Sequence, residues 1–473
     1  MHLLIAFAAL ACFAAPSHAG RFEAGSFTAH DTFANPNPVR VNFQQSFDTV
    51  PIVVVLSDVS GNNSASIRIT NITTTGFDEL ILEPDNWDGR HIAQNVHYIA
   101  VEPGRHVLPD GQIVEANRAN TSATQFGSGV AGTATWSSIS FSAPLPNTPS
   151  VITQIQTANS ETQPVATAPS RPHITAISRN PTLAGFQVAL DRSQANSGPV
   201  PSIETIGWIA FPGNLSGNFP DLSSNIINWS TTNTANIIRG WDNGCFTSGF
   251  GQTSGNRIVV AKKSSRNNGD GGWLRRCSLN NSLIGLRVDE DRDQDNERSV
   301  ANADAESASI IAFSRAFHAL LEPAMSITKT HVSFTDPQGG GFALPGATIE
   351  YLISVQNAGN APPNYDSVII TEALPPNLAL IVTDFAGPGS GPLQYQDGTP
   401  SAGLAFSFGG LGDSGDSVEF SSDGVNFGYA PSDSGDGTDP AVTHIRVSPG
   451  GFMAADSGLG PTSFDIRLKG KIK

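Results

Sequence analysis

Charge is scarce in this chain. Lys, Arg, Asp and Glu make up 14% of 473 residues, and acids outnumber bases 42 to 26, for a formal net charge of −16. Nucleic acid and anionic lipid are therefore poor partners. The one basic group, Lys469, Lys471 and Lys473, falls short of the roughly four cations that a membrane patch takes. Beyond the N-terminus there is no long apolar run, so no integral membrane segment is expected. Apolar residues at helical spacing are missing too, which argues against a helical fold. The chain has no His-Glu-x-x-His zinc motif, no phosphate-binding Gly-rich loop ending in Lys-Ser/Thr, and no dinucleotide fingerprint. No cofactor, no metal and no catalytic residue are expected. Gly412-Asp413-Ser414-Gly415 mimics a serine-protease nucleophile signature. It lies in a Gly/Asp/Ser run without a matching histidine segment, and chance accounts for it. Paired carboxylates for glycoside cleavage are a tertiary property that sequence does not reveal.

What is abundant is turn chemistry: 47 Gly and 32 Pro, among many Thr, Ser and Asn. That mixture suits short strands between tight turns, so an all-β chain of several antiparallel sandwiches is expected. Leu3 to Ala15 is apolar and too short to span a bilayer, and Pro16-Ser17-His18-Ala19 follows with small residues where a signal peptidase needs them. Residues 1–19 therefore read as an export signal, although His2 stands where Lys or Arg is usual. Cleavage would remove Cys12 and leave Cys245 and Cys277. In an oxidising compartment such a pair is most simply one disulfide. It would stabilise by roughly 3 kcal/mol.

The chain also repeats. Gln94-Asn-Val-His-Tyr98-Ile99-Ala100, Glu204-Thr-Ile-Gly-Trp208-Ile209-Ala210 and Glu306-Ser-Ala-Ser-Ile310-Ile311-Ala312 share one pattern, at intervals of 110 and 102 residues. Gly76-Phe77, Gly185-Phe186 and Gly285-Leu286 keep step upstream, as do Phe43, Phe141 and Phe246. A period this long means tandem domains. The expected units are 20–106, 107–213 and 214–322, followed by 323–473. The last has its own strands at Ala347–Val355, Val368–Thr371 and His444–Val447, separated by a loop-rich stretch near 409–439. Expressed alone, 324–473 should unfold cooperatively. Pro-Gly turns and high net charge favour an extended string of repeats over a closed pseudo-trimer.

The first repeat resembles the H-type lectin domain, a small antiparallel sandwich that binds galactose-type sugars. Phe43, Phe47, Pro51-Ile-Val-Val-Val-Leu-Ser-Asp58, Ile67-Arg68, Gly76-Phe77, Asn86-Trp87-Asp88 and Tyr98-Ile-Ala follow that family's order. The resemblance implies a carbohydrate site made by Asp58, Arg68 and the Trp87-Asp88 loop. The third repeat, with Gly240-Trp-Asp-Asn-Gly-Cys245, Asn268-Gly-Asp-Gly-Gly-Trp273-Leu-Arg-Arg-Cys277 and Glu290-Asp-Arg-Asp, resembles modules of bacterial exported, pilus-associated surface proteins. The C-terminal segment resembles the bacterial conserved-repeat family called domain of unknown function eleven. Asp336-Pro337, Leu344-Pro-Gly-Ala-Thr-Ile-Glu-Tyr351, Val355-Gln-Asn357-Ala-Gly359 and Ile369-Ile-Thr-Glu372-Ala-Leu374-Pro375 carry that likeness, with Glu372 where Asp is usual. It implies an immunoglobulin-like sandwich in a secreted or cell-surface protein.

Two readings of the candidate sugar site stay open. A tryptophan face stacks on sugar C–H groups while charged side chains bond hydroxyls; equally, Trp87 could be a turn residue beside an ordinary strand Arg–Asp pair. Asp289-Glu-Asp-Arg-Asp-Gln-Asp-Asn-Glu297 alternates carboxylates as a calcium loop does, but lacks the EF-hand spacing. A solvated loop neutralised by Arg287, Arg292 and Arg298 is the favoured reading. The expectation is a non-catalytic exported protein that binds glycans or surface polysaccharide in adhesion, with cell-surface proteins as further partners. The alternatives are a structural spacer and, less favoured, a secreted hydrolase.

Overall fold

A computed structural model describes residues 10–13, 20–162, 165–251 and 256–473. Strands form where Val, Ile, Thr and aromatic residues run between Gly, Pro and Asn turns. The helical segments among the described residues are two 3-10 turns, Trp241–Asn243 and Asn302–Asp304. The fold is all-β, as expected. The chain divides into two compact units, one of 20–106 with 112–320, the other of 321–473 with 107–111 and the described part of 1–19.

The larger unit holds three sheets of one design. In the first, Phe317–Leu321, Gly20–Ala29, Gln94–Val101 and Ile52–Ser57 lie side by side. The second orders Gly104–Val107, Ile113–Thr121, Glu204–Pro212 and Pro149–Ile155; the third orders Ser216–Pro220, Ile226–Asn233, Ala308–Phe313 and Ile258–Lys263. The recurring Ile-Ala pair occupies one register in all three. Ala100 faces Val53 and Glu23, Ala210 faces Val151 and Glu115, and Ala312 faces Val259 and Ser230. Each sheet is backed by a smaller one, such as Val39–Asn42, Gly76–Leu82 and Ser66–Thr73 in the first repeat. The repeated Gly has a steric cause: a Cβ at Gly76 or Gly185 would stand 2.2 or 2.0 Å from the carbonyl oxygen of Val41 or Ile139.

The repeats do not form a string. The short strand after each Ile-Ala strand does not stay in that strand's sheet but edges the sheet of another repeat. Gly104–Val107 joins the second repeat, Ser216–Pro220 the third, and Phe317–Leu321 returns to the first. This handover closes the three repeats into one body, which corrects the extended arrangement that the sequence favours. The strands Ile52–Ser57, Pro149–Ile155 and Ile258–Lys263 pack against one another at its centre. Their two-sided burial explains the unbroken apolar run Pro51–Leu56. Val53 and Val55 enter the first repeat's core with Phe43, Phe77 and Tyr98. Val54 and its equivalents Ile152 and Val260 are fully buried on the opposite face. At the handover end Phe22, Phe211, Phe219, Phe313 and Phe317 interlock with centroids 4.9–6.4 Å apart. Cys245 and Cys277 form the expected disulfide, Cα to Cα 5.9 Å.

The C-terminal unit is a sandwich of two sheets. In one, Met325–Thr335 edges Thr348–Asn357, which pairs in turn with Thr462–Ile472; Ile369–Ala373, His444–Val447 and Val418–Ser421 form most of the other. Strict alternation along Thr348–Asn357 and Thr462–Ile472 sends Ile349, Tyr351, Ile353, Val355, Phe464, Ile466 and Leu468 into the core. Asn357 is fully buried: its amide donates to Ala361 O (3.0 Å) and Ala454 O (3.1 Å), and its Oδ1 accepts from Ala324 N (3.0 Å) and Gly359 N (2.9 Å). The loop-rich stretch 409–439 carries two short strands, Val418–Ser421 and Thr438–Asp439. The signal expected over 1–19 lies outside the described residues except at Leu10–Phe13, whose backbone pairs antiparallel with Ile369–Glu372. No helix of the described residues is long and apolar enough to cross a membrane.

Candidate functional site

Asp58 follows directly on the central Ile52–Ser57 strand and is half-buried. Its backbone N–H donates to Asn95 O (2.9 Å), and its Oδ1 accepts from Ser60 N (3.0 Å). The turn that it opens is held by Arg275 of the third repeat, which has no exposed surface. That guanidinium donates to the carbonyls of Asp58 (3.0 Å), Ser60 (2.8 Å) and Asn63 (2.9 Å) and to Asp289 Oδ2 (2.8 Å). Next along the strand, Arg276 bridges to Asp58 through the backbone and donates from Nη2 to the Asn95 amide oxygen. Burial lowers the Arg276 pKa and the Asp58 charge partly restores it.

Between the two repeats opens a shallow cleft of about 370 Å³, walled by Asp58, Ser60, Arg276, Cys277 and Ser278. The disulfide anchors its third-repeat wall. A neighbouring cleft holds His97 and Ser26. His97 Nδ1 accepts from Val259 N (3.0 Å), so the imidazole is neutral there. Burial, with Arg276 nearby, pushes its pKa down to about 3. The arrangement offers an acceptor, a cation and hydroxyl groups along one rigid wall, which is the chemistry that polyol recognition takes.

The other expected site residues have separate surroundings. Arg68 is 4% exposed and pairs with Glu161 of the second repeat, Nε to Oε2 2.8 Å, with Nη2 on Ile174 O at 2.9 Å. Burial raises the Glu161 pKa and Arg68 opposes it. The Arg68 guanidinium is thus engaged in joining two repeats. Trp87 is half-buried with the Arg292 guanidinium 5.6 Å from its centroid, and Asn86 donates to Arg292 O (2.7 Å) and Asp293 Oδ1 (3.0 Å). Asp88 is exposed and accepts from Arg90 N (3.2 Å). Asp58 is therefore joined by Arg276, while Arg68 and the Trp87-Asp88 loop make contacts of their own. Arg275, Arg276 and Asn95 escaped the sequence reading. Two adjacent arginines before a cysteine were the available signal.

The acidic loop departs from the solvated reading. Asp289, Glu290 and Asp291 are at most 1% exposed. Asp289 pairs with Arg275 (2.8 Å) and, as the sequence suggested, with Arg298 (3.1 Å). Asp291 and Asp293 reach the second repeat, accepting from Gln194 N (2.9 Å) and Asn196 N (2.8 Å). Burial, added to by Asp270 and other carboxylates, pushes Glu290 up to about 9, and burial pushes Asp291 up to about 8. Among the described residues no group of three or more His, Cys, Asp or Glu is arranged to hold a metal ion. A carboxyl with a raised pKa keeps its proton in the folded state after the unfolded chain has released it. Stability is then greatest below the unfolded value near 4.5 and falls as pH rises towards about 9. Melting temperature should decline between these limits, and Glu290→Gln should flatten the decline; equal slopes in both proteins would contradict the assignment.

A model of the H-type lectin domain matches residues 38–101. That span covers the first repeat from Pro38 to the end of its Ile-Ala strand and includes Asp58, Arg68, Trp87 and Asp88. No curated protein and no solved structure shows a significant match to the chain.

Proposed function

We propose that the chain is an exported, non-catalytic, glycan-binding surface protein that contacts sugar at the cleft between its first and third repeats. The lectin-domain match over 38–101 carries this reading. Its support is the cleft beside Asp58, where a half-buried carboxylate and Arg276 share a disulfide-anchored wall. The Trp87-Asp88 loop is a second contact surface for a longer glycan. The second and third repeats are lectin-like copies whose part is to close the body and supply Arg276. The C-terminal sandwich, on its likeness to the conserved-repeat family, serves display at the cell surface.

A glycan array probed with the chain from Gly20 onward tests this. Asp58→Ala should weaken binding about tenfold or more, the usual scale for a hydrogen bond to a charged group. Trp87→Ala should weaken only the binding of extended glycans. Undiminished binding by Asp58→Ala would overturn the assignment of the cleft. A spacer role has an observation in its favour, since Arg68 and Trp87 are both spent on contacts between repeats. Failure of the wild-type chain to bind any glycan would favour it.

A further inference from the structure

The three central strands carry Leu56, Gln154 and Lys262 at equivalent positions, three residues beyond Val53, Val151 and Val259. Below them the Val54, Ile152 and Val260 layer is dry. At their own level the packing opens into a cavity of about 40 Å³ between the repeats. A cavity of that size accommodates a water or a small ion. Sites for organic ligands run to several hundred Å³, so a sugar does not fit.

The electrostatics of the wall are one-sided. Arg68, Lys262 and Lys263 line it, and no Asp or Glu does. Arg68 has Glu161, and Lys263 has Glu306 (3.5 Å) and Asp191 (3.8 Å), for counter-charges. Lys262 has no carboxylate partner among the described residues; its Nζ donates to the neutral Gln154 Oε1 at 2.9 Å. Lys262 is half-buried and lines the cavity. Thr175, on the same wall, has a buried Oγ1 with no hydrogen-bond partner. An unneutralised ammonium inside a protein is costly, and a bound counter-ion removes much of that cost.

We propose that this cavity is an anion site, taking a small monovalent inorganic ion of the chloride class between Lys262 Nζ and the Thr175 hydroxyl. The ion would sit where the three repeats meet and stabilise their closure. Burial and the nearby Arg68 charge otherwise push Lys262 down to about 7, and an anion favours its charged form.

Two measurements on the full chain test this. Crystals grown in bromide should give an anomalous peak beside Lys262 Nζ at the bromine edge. In solution, melting temperature should rise by roughly 2 °C per tenfold increase in chloride at constant ionic strength, with gluconate as the balancing anion. Lys262→Met should abolish the rise; should that variant fail to fold, Thr175→Val should reduce it. A cavity holding only water in bromide-grown crystals, or equal chloride dependence in wild type and variants, would overturn the proposal.

Discussion

Alanine in place of Arg275 should cost the three-repeat body about 3–5 kcal/mol, the range for breaking a buried ion pair from one side. The side chain has no exposed surface, and its four hydrogen bonds hold three carbonyls of the first repeat and one carboxylate of the third. Removing it leaves Arg298 as the ion-pair partner of Asp289 and takes three guanidinium hydrogen bonds from the Asp58–Asn63 turn. Lysine should not rescue, because one ammonium cannot reproduce a planar fork that spans four acceptors. Urea titration of the Arg275→Ala chain measures the loss. A change below about 1 kcal/mol, the scale of an exposed pair, would contradict the described burial.

Phe317→Ala should be comparably severe, about 3–5 kcal/mol for a buried phenylalanine. Its neighbours are Phe219 at 5.3 Å and Phe313 at 4.9 Å. The location of the damage is the sharper expectation. Phe317 opens the strand that edges the first repeat's sheet beside Gly20–Ala29. Hydrogen exchange should therefore accelerate in Gly20–Ala29 as well as in the third repeat. Acceleration confined to the third repeat would mean that the returning strand does not hold the first sheet.

The repeats were legible because the Ile-Ala pair falls at the same register three times, and the glycine before each phenylalanine or leucine answers a steric demand that recurs. The disulfide was legible from cysteine count alone. Closure was not, although the run Pro51–Leu56 carried a hint: a strand with one wet face would alternate, and this one does not. The pairing that closes the body joins Phe317–Leu321 to Gly20–Ala29, a contact between the two ends of a 300-residue stretch, and local pattern holds no record of it. Burial of charge was hidden for the same reason. Arg68 reads as a sugar ligand until Glu161 of the next repeat is placed against it. The loop from Asp289 reads as solvated until Arg275, Gln194 and Asn196 surround it. Asp58 was legible by family order, but its companion Arg276 comes from a repeat more than two hundred residues on.

The cleft and the anion cavity exist only if the three repeats close on one another. Small-angle scattering of residues 20–320 tests this closure most directly. A compact body of that length has a radius of gyration of about 19 Å, whereas three such domains of about 13 Å each, spaced end to end, exceed about 30 Å. The smaller value is expected, with a single compact distance distribution. A radius near the larger value, with distances that separate into intra- and inter-domain peaks, would contradict it.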